Sequence, residues 1–482
     1  MAVASELETE LKYEAGAEPP SLGDLPGVSG VEGPESVRLS AVYFDTADGR
    51  LARHGATLRR RTGGADEGWH LKVPVGGDTR IELRLPLDDG PATNAPPDEL
   101  AELTFGMARG AEIRPIALLR TKRRTWRLTG PGGKLVAEVA EDRVTARRLD
   151  GTGTDDRWQE LEVELADPAA GPALDQALRK AGLRRSRHTS KLARFMPVPP
   201  APAPAGDTAG DALLVYLRAQ YDEIVRQDLR VRRDEPDSVH QMRVAARRLR
   251  SALRAYRRLL PGTSRLRDDL RWLGRQLAES RDLEVQQEHL RSVIAGLPDD
   301  LVVGPVAARL TRHYGPMRQA ASQTALKALR DKRYRRLLDS VDRLLAEPPL
   351  TSRASRPAAA ELPAHVGRAY RRAKRRVAAE TMHEARKAIK GYRYALEVAE
   401  PAVGKRARKA RNAAKDLTKV LGAHQDGVVA RPVLRELGML AHLAGENGFT
   451  FGLLHERERG RCVEAERVYP AYWKRVRRSR LK

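Results

Sequence analysis

The sequence has 482 residues, too many for one compact core, and its 41% apolar and 32% charged residues exclude wholesale disorder. Lys and Arg total 88 against 64 Asp and Glu, and this formal charge of +24 favours an anionic partner. A single cysteine excludes an internal disulfide framework, and the acidic N-terminus and lack of long apolar runs predict a cytoplasmic protein without signal peptide or membrane partner.

The first part of the chain alternates apolar and polar residues with the two-residue period of β-strands. Eight such segments lie at 7–13, 36–44, 56–61, 69–75, 80–87, 119–128, 134–146 and 158–165. Short helices are predicted at 97–109 and 172–182. Eight successive antiparallel strands are typical of a closed barrel or a sandwich, and an eight-stranded barrel can hold one small ligand.

Charged side chains of both signs recur at every second position of these strands, as at Arg59 and Arg61 or at Glu160 and Glu162. One explanation is a polar outer face in contact with water, which is common in antiparallel sheets. The second is a charged lumen, because the alternate positions are not consistently large and apolar. Carboxylates that hold Mg²⁺ or Mn²⁺, with Arg and Lys that hold phosphate oxygens, would suit a metal-bound polyanion.

The order of charged motifs along these strands resembles the CYTH family, the triphosphate tunnel metalloenzymes. The motifs are Glu8-Thr9-Glu10-Leu11-Lys12, Arg59-Arg60-Arg61, Lys72 in HLKVP, Asp142 in AEDRVTA and the strand ELEVEL at 160–165. The resemblance spans about residues 5–196. It implies an eight-stranded antiparallel tunnel that hydrolyses or cyclises triphosphate compounds with a divalent metal.

By this resemblance, each candidate site residue takes its role from the family position that it matches. The implied metal ligands are Glu8, Glu10, Asp142, Glu160 and Glu162, and the implied catalytic residues are Glu8, Glu10, Lys12 and Lys72. The implied substrate-binding residues are Arg59, Arg61, Arg84, Arg124 and Lys191, with Arg124 preferred over Arg123 and with Glu164 as a further candidate. The corresponding mechanism is metal-assisted attack by water, which needs no nucleophilic side chain.

A proline-rich segment follows. Pro197, Pro199, Pro200, Pro202 and Pro204 are interleaved with Val and Ala and closed by Gly206. Because such a run favours a semi-rigid polyproline spacer, we predict a linker at 197–206 between domains at 1–196 and 207–482. The charge divides at the same place, with a net −2 for residues 1–195 and +26 for residues 196–482.

After the linker the apolar pattern becomes helical throughout. Helices are predicted at 208–230, 236–260, 264–294, 301–313, 317–345, 362–398, 403–421, 428–446 and 449–468. Within this region SVHQMRVAARRLRSAL at 238–253 matches TMHEARKAIKGYRYAL at 381–396. Both copies contain a stripe, His-x-x-Arg-x-x-x-(Arg/Lys)-x-x-Arg, formed by His240, Arg243, Arg247 and Arg250 and by His383, Arg386, Lys390 and Arg393.

The four stripe positions share one helix face, within an arc of about 80°. A solvated basic face is one explanation of such a stripe. Composition predicts only about 0.07 copies of the pattern by chance, however, so its duplication with a histidine at the head favours a groove for a long anion.

The helical half resembles the CHAD family over about residues 207–475, on both stripes and on Asp282 and Asp426, which also align and are predicted to lie at helix starts. The resemblance implies two pseudo-symmetric four-helix bundles around a basic cavity in which the eight stripe residues bind inorganic polyphosphate. Arg254 continues the first stripe, whereas Glu397 occupies the equivalent position of the second. Metal binding by the stripe histidines is disfavoured because neither has a carboxylate or histidine four residues on.

Together these patterns predict a metal-dependent hydrolase of inorganic triphosphate whose helical domain captures polyphosphate close to the tunnel. The first alternative is a non-catalytic protein that binds polyphosphate or targets polyphosphate granules in the cytoplasm. A nucleic-acid binder is a further alternative, disfavoured because basic charge is present without interleaved aromatic residues or a known nucleic-acid motif. A nucleotide cyclase also stays open, since some tunnel enzymes cyclise ATP.

Overall fold

In the computed structural model, residues 3–14, 20–87, 94–198, 206–379 and 381–481 are described. The chain forms two compact units, Met1–Pro202 and Ala203–Lys482. Most of the predicted proline linker, at 199–205, lies outside the described residues. None of the described helices combines the length and the apolar character needed to cross a lipid bilayer.

The first unit is a closed antiparallel barrel. Its strands are β1 (Ala4–Glu14), β2 (Gly30–Asp45), β3 (Thr57–Thr62), β4 (Gly68–Gly76), β5 (Thr79–Leu85), β6 (Arg114–Thr129), β7 (Leu135–Arg148), β8 (Asp156–Leu165) and the two-residue β9 (Arg184–Arg185). The sheet runs β5-β4-β3-β2-β6-β7-β8-β1, and β1 also pairs with β5, which closes it. The predicted barrel is therefore confirmed, and each of the eight predicted strand segments overlaps one long strand.

Much of the apolar core of this unit lies outside the barrel, between the outward faces of the strands and the residues that cover them. The short helices of this unit are α1 (Arg50–Arg53), α2 (Asp98–Leu103), α3 (Phe105–Ala108), α4 (Gly171–Lys180) and α5 (Lys191–Phe195). Helix α5 packs through Leu192 on an inward-facing cluster that includes Tyr43 and Trp158, whereas α4 lies on the outer surface. Leu174 and Leu178 of α4 pack on outward residues such as Val139 and Val163. Because successive strand residues point to opposite faces, burial of these apolar residues outside turns their charged neighbours inward.

The second unit is all-helical. Its helices are α6 (Ala209–Arg232), α7 (Ser238–Ala255), α8 (Ser264–Gln276), α9 (Ala278–Ala295), α10 (Val306–Arg330), α11 (Lys332–Ala346), α12 (Ala358–Ala379), α13 (Met382–Val403), α14 (Lys405–Leu443) and α15 (Phe449–Ser479). The sequence repeat appears as two similar sets: α6, α7, the α8–α9 pair and α10 correspond in order to α12, α13, α14 and α15. Helices α7 and α13, which carry the stripes, pack against each other.

Several predicted helix boundaries are wrong. The segment 264–294 is divided at Leu277, and the segment 362–398 is divided before Thr381, whose hydroxyl accepts a hydrogen bond from the amide of Glu384 and caps α13. Conversely, Pro316 lies inside α10, and α14 runs unbroken through the predicted gap at 422–427. Asp426 is therefore a mid-helix residue and does not lie at a helix start.

Candidate functional sites: a charged tunnel and a basic helix pair

The barrel encloses a cavity of about 400 Å³ lined by eight basic and eight acidic side chains. Strand register brings opposite charges side by side, with Lys12 beside Glu162 and Lys72 beside Glu82. The charged residues of the alternating strands therefore lie in the lumen of the barrel and do not form a polar outer face. A lumen with both signs of charge can take up cations and anions together.

One network in the cavity joins Glu8 to β4 and β5. The Lys72 ammonium donates to Glu8 and lies 3.3 Å from Glu82. Arg84 donates to Glu82, and its Nη2 lies 3.3 Å from a Glu8 oxygen. Burial, with a hydrogen bond to Glu82, raises the pKa of Glu8 to about 7 although Lys72 opposes the shift. Glu8 can therefore exchange a proton near neutral pH.

His70 fixes the position of Glu82 in this network. Its Nδ1 lies 2.9 Å from Glu82 Oε1, and its Nε2 lies 3.0 Å from the carbonyl oxygen of Asp66. Both His70 and Glu82 are almost completely buried. The imidazole thus holds the carboxylate that in turn contacts Lys72 and Arg84.

A second network surrounds Lys191, the first residue of α5. Its Nζ lies 2.9 Å from Asp142, 2.8 Å from Glu160 and 2.5 Å from Glu162. Although burial opposes the charge, these carboxylates raise the pKa of Lys191 well above its usual value. The three carboxylates offer oxygens within 4.8 Å of one another, a spacing that can suit a metal ion, but the ammonium already neutralises part of their charge.

Arg123 shares this cluster from β6. It donates two hydrogen bonds to Asp142, at 2.8 and 2.6 Å, and one to Glu162 at 2.7 Å. These contacts fix one edge of the guanidinium, and Arg123 also lines the cavity. An anion in the tunnel would therefore meet an arginine that is already oriented.

A row of carboxylates crosses three neighbouring strands. Glu10 of β1 is opposite Glu164 of β8, which is opposite Glu138 of β7, and all three line the cavity. Burial raises the pKa of Glu164, Lys72 opposes the shift, and the charges of Glu10 and Glu138 add to it. Glu164 forms no ion pair among the residues that the structure describes. Like charges directly opposed are unfavourable, and two of these carboxylates have cations nearby: Glu10 lies 3.0 Å from the Lys12 ammonium and Glu138 lies 3.4 Å from Arg127.

Arg59 and Arg61 of β3 line the cavity. Arg59 Nη1 lies 3.4 Å from the Tyr43 hydroxyl and its Nη2 3.9 Å from Glu82, while Arg61 pairs with Asp66. The Nε atoms of both arginines are buried without a hydrogen-bond partner in the described part of the chain. Burial, with the charges of Arg59 and Arg123, lowers the pKa of Arg61 to about 9. Phosphate oxygens are acceptors that guanidinium groups lining a cavity can bind.

Most residues of the predicted tunnel set are brought together. The cavity is lined by Glu8, Glu10, Lys12, Arg59, Arg61, Lys72, Arg84, Glu162, Glu164 and Lys191, and Asp142 and Glu160 contact Lys191. Arg124 is the exception, since it pairs with Glu141 at 3.0 Å and lies 5.0 Å from the centroid of the Trp126 ring. The structure places Arg123 and not Arg124 on the cavity, because the pleat sends Arg124 outward and Arg123 inward.

Several residues of the site carry no role in the sequence-based prediction. Glu82 could have been found, because it lies between Arg80 and Arg84 on the inward face of β5, and Glu138 has the same parity as Asp142 on β7. The sequence pattern does not identify Tyr43 or His70, because an aromatic side chain on a barrel strand is as typical of the apolar core as of a binding site.

In the helical unit the two stripes meet around one buried tyrosine. Arg247 Nε donates to the Tyr394 hydroxyl at 3.0 Å, and the Arg393 guanidinium lies 4.8 Å from the centroid of the same ring. Burial and then the charges of Arg386, Arg247 and Arg393 lower the pKa of Lys390 to about 7. The stripes of α7 and α13 thus form one cluster with excess positive charge.

The remaining stripe residues lie along the same two helices. Arg243 donates to Asp282 at 3.0 Å, and the aligned Asp426 acts on Arg386 as a nearby negative charge. His383 Nδ1 lies 2.7 Å from the Gln425 side-chain oxygen. Among the described residues neither stripe histidine belongs to a group of three potential metal ligands.

His240 and Arg250 lie beside other cations. Burial, followed by the charge of Arg281, lowers the pKa of His240 to about 4. Burial also lowers the pKa of Arg250, with Arg271 and Arg247 acting in the same direction. Such crowding of cations is unfavourable in the free protein and would be relieved by a bound anion.

Comparison with known proteins gives matches for both units. A CYTH domain model matches residues 6–196, and a CHAD domain model matches residues 215–435. An uncharacterized protein of Mycobacterium tuberculosis (strain CDC 1551 / Oshkosh) is 34% identical over 494 residues, which cover 94% of this chain and 93% of that protein.

Two solved structures each match one part of the chain. The crystal structure of the CHAD domain from the plant Ricinus communis is 26% identical and covers 58% of this chain and 94% of its own, with a TM-score of 0.43. A putative adenylyl cyclase from Hippeastrum, described as revealing a dominant triphosphatase activity, is 21% identical and covers 39% of this chain and 94% of its own, with a TM-score of 0.23.

Proposed function

The chain belongs to the family of proteins that join a CYTH domain to a CHAD domain, and from this premise we propose that its tunnel hydrolyses inorganic triphosphate or a related triphosphate. The helical unit, in the same proposal, binds inorganic polyphosphate. CYTH-family members are triphosphate tunnel enzymes. The observation that supports the proposal is the lumen itself, where eight basic and eight acidic side chains line one cavity.

The basic residues of the tunnel would bind the phosphate chain. Arg59 and Arg61 have free Nε donors, and Arg123 is held in position by Asp142 and Glu162. Hydrogen bonds between charged partners contribute roughly 1.5–3 kcal/mol each, so three arginines can orient a small polyanion. Lys72 would stabilise charge that develops on the departing phosphate.

Carboxylates in the tunnel would hold the metal. Glu8 and Glu10, with Glu162 or Glu164 across the β1–β8 pair, present oxygen ligands of the kind that Mg²⁺ and Mn²⁺ prefer. Bound there, the ion would neutralise phosphate oxygens and lower the pKa of a coordinated water. Asp142 and Glu160 are also proposed as ligands, in competition with the Lys191 ammonium for their oxygens.

The test is the double variant Glu8→Ala plus Glu10→Ala. Tripolyphosphate, ATP and thiamine triphosphate are each supplied with Mg²⁺, with Mn²⁺ and with a chelator, and release of phosphate is measured. We expect a loss of ~100-fold or more, because several kcal/mol of metal stabilisation disappear. The matched control is Asp24→Ala plus Glu112→Ala, two exposed carboxylates outside the lumen. Normal turnover by the first variant contradicts the site assignment.

The products distinguish the remaining alternatives. Phosphate and pyrophosphate from tripolyphosphate support hydrolysis, whereas a cyclic nucleotide from ATP indicates a cyclase. Polyphosphate binding without turnover of any substrate supports the non-catalytic, granule-targeting alternative. A preference for duplex DNA over polyphosphate at moderate salt supports a nucleic-acid binder.

The polyphosphate site is tested separately, with Arg247→Ala plus Arg393→Ala. Both guanidinium groups lie around Tyr394, where the stripes meet. We expect polyphosphate affinity to fall by at least ~10-fold, with triphosphate turnover unchanged. Arg435→Ala, an exposed arginine of α14, is the control. In cells, we expect the unmodified protein to lie at polyphosphate granules in the cytoplasm. The double variant should instead be spread through the cytoplasm.

A further inference from the structure

The two stripes end differently. Arg254 lies one turn beyond Arg250 on α7, whereas Glu397 occupies the equivalent position on α13. Glu397 accepts a hydrogen bond from the Tyr216 hydroxyl at 2.9 Å, and its oxygens lie 3.1 Å from Arg248 and 3.4 Å from Arg393. A fixed carboxylate repels a phosphate chain, so the second stripe is closed at this end.

The first stripe has no such carboxylate at its end. Arg254 forms no ion pair with any residue that the structure describes, and its Nη2 would lie 3.1 Å from a Cβ added at Gly391 of α13. Glycine is unfavourable inside a helix relative to alanine, and at position 391 it leaves room for the guanidinium. Desolvation, with the charges of Arg372, Arg250 and Arg267, lowers the pKa of Arg254 to about 10.

Arginines of two other helices continue from this point. Arg267 and Arg271 lie four residues apart on one face of α8, and Arg372 lies on α12. Arg267 Nε donates to the Thr263 carbonyl at 3.3 Å, and Arg271 pairs with Asp268 at 2.9 Å in an exposed contact. Exposed pairs contribute little, so these guanidinium groups are free to change partner.

We propose that Arg254, Arg267, Arg271 and Arg372, here called the arginine extension, bind the continuation of a linear phosphate chain whose first part lies between α7 and α13. The inference rests on the proposed polyphosphate binding and adds a direction and a length to it. The 1.5 Å rise of an α-helix places Arg254 about 21 Å from His240 along α7. A chain that begins at the His240 end of the stripe must therefore span about 21 Å before it reaches the extension, so a long chain contacts the extension and a short chain bound at that end does not.

The experiment measures binding of tripolyphosphate, a short-chain and a long-chain polyphosphate fraction to the full protein by calorimetry. The variant is Arg254→Gln plus Arg372→Gln. We expect its affinity for long chains to fall about 10-fold, with the shorter ligands unaffected. The slope of log affinity against log salt for long chains should become less steep by about 1.4, since two phosphate contacts are lost. Arg271→Gln alone should give a smaller loss of the same kind.

The control removes the same charge elsewhere, with Arg435→Gln plus Arg457→Gln on exposed positions of α14 and α15. An equal loss in this control shows that only net charge matters and overturns the extension. Equal losses for short and long chains, or no loss for long chains, overturn it as well. If the unmodified protein binds no polyphosphate of any length, the proposed function fails first and the extension fails with it.

Discussion

Removing the Lys191 ammonium would leave buried carboxylates without their shared cation. Lys191 contacts Asp142, Glu160 and Glu162 at distances of 2.5 to 2.9 Å, and its side chain is 9% exposed. In Lys191→Met the chain keeps a side chain of similar length that carries no charge. Asp142 and Glu162 keep Arg123, whereas among the residues that the structure describes Glu160 keeps only the hydrogen bond from the Trp158 indole at 2.6 Å.

Breaking a buried ion pair by removing one partner typically costs 3–5 kcal/mol. We therefore expect the free energy of unfolding of the first unit to fall by ~3–5 kcal/mol in Lys191→Met. Mg²⁺ or Mn²⁺ should restore part of the lost stability, because the position of the missing ammonium lies among the carboxylates of Asp142, Glu160 and Glu162. A metal at 100 times its dissociation constant would return ~2.7 kcal/mol.

The assay is denaturant unfolding of the full protein, with and without metal, followed by tryptophan fluorescence. Trp158 reports on the site directly, since its Nε1 donates to Glu160. Lys180→Met, on the exposed surface of α4, is the control and should change stability by less than ~0.5 kcal/mol. If Lys191→Met lowers the free energy of unfolding no more than Lys180→Met does, Lys191 does not neutralise the carboxylate cluster. The same conclusion follows if metal stabilises the two variants equally.

Three further predictions concern charge placement. Arg123→Ala should lower triphosphate turnover by roughly 10- to 100-fold while Arg124→Ala stays within about 2-fold in the same assay, because only Arg123 faces the cavity. Polyphosphate affinity should rise by up to about 10-fold for each pH unit as the pH falls towards 7, because the bound anion favours the protonated form of Lys390. The variant Lys390→Arg stays charged and should show no such pH dependence when binding is measured by calorimetry. The metal concentration for half-maximal turnover should rise as pH falls below about 7, because Glu8 takes up a proton, and a flat profile between pH about 6 and 8 contradicts this.

The barrel was predictable because its two faces differ chemically. Outward residues such as Leu11 and Val163 pack under α4, while Glu10, Lys12 and Glu162 point inward. This contrast produces a period of two that survives in the sequence. A period of two assigns residues to two faces but does not say which face is inside, so in the basic run of β6 only the structure shows that Arg123, and not Arg124, lines the cavity.

Helix boundaries were less predictable because glycine and proline have more than one role. Gly427 belongs to the predicted gap between two helices but lies in the middle of α14. A Cβ added at this position would be 2.6 Å from the Cys462 sulfur of α15. Gly422 lies beneath the Arg386 guanidinium, with 3.5 Å between its Cβ position and Nη2. Both glycines permit close packing, and the neighbours that require it are distant in sequence.

The sequence by itself determined the division of charge between the units, the strand and helix periods and the duplicated stripe, because these are local properties of residue order. Only the tertiary structure decided that Lys191 lies among Asp142, Glu160 and Glu162, and that Arg247 and Arg393 share Tyr394. These contacts join residues that are far apart in the chain. Barrel closure and helix packing bring them within hydrogen-bonding range, and burial there sets the pKa of groups such as Glu8 and Lys390.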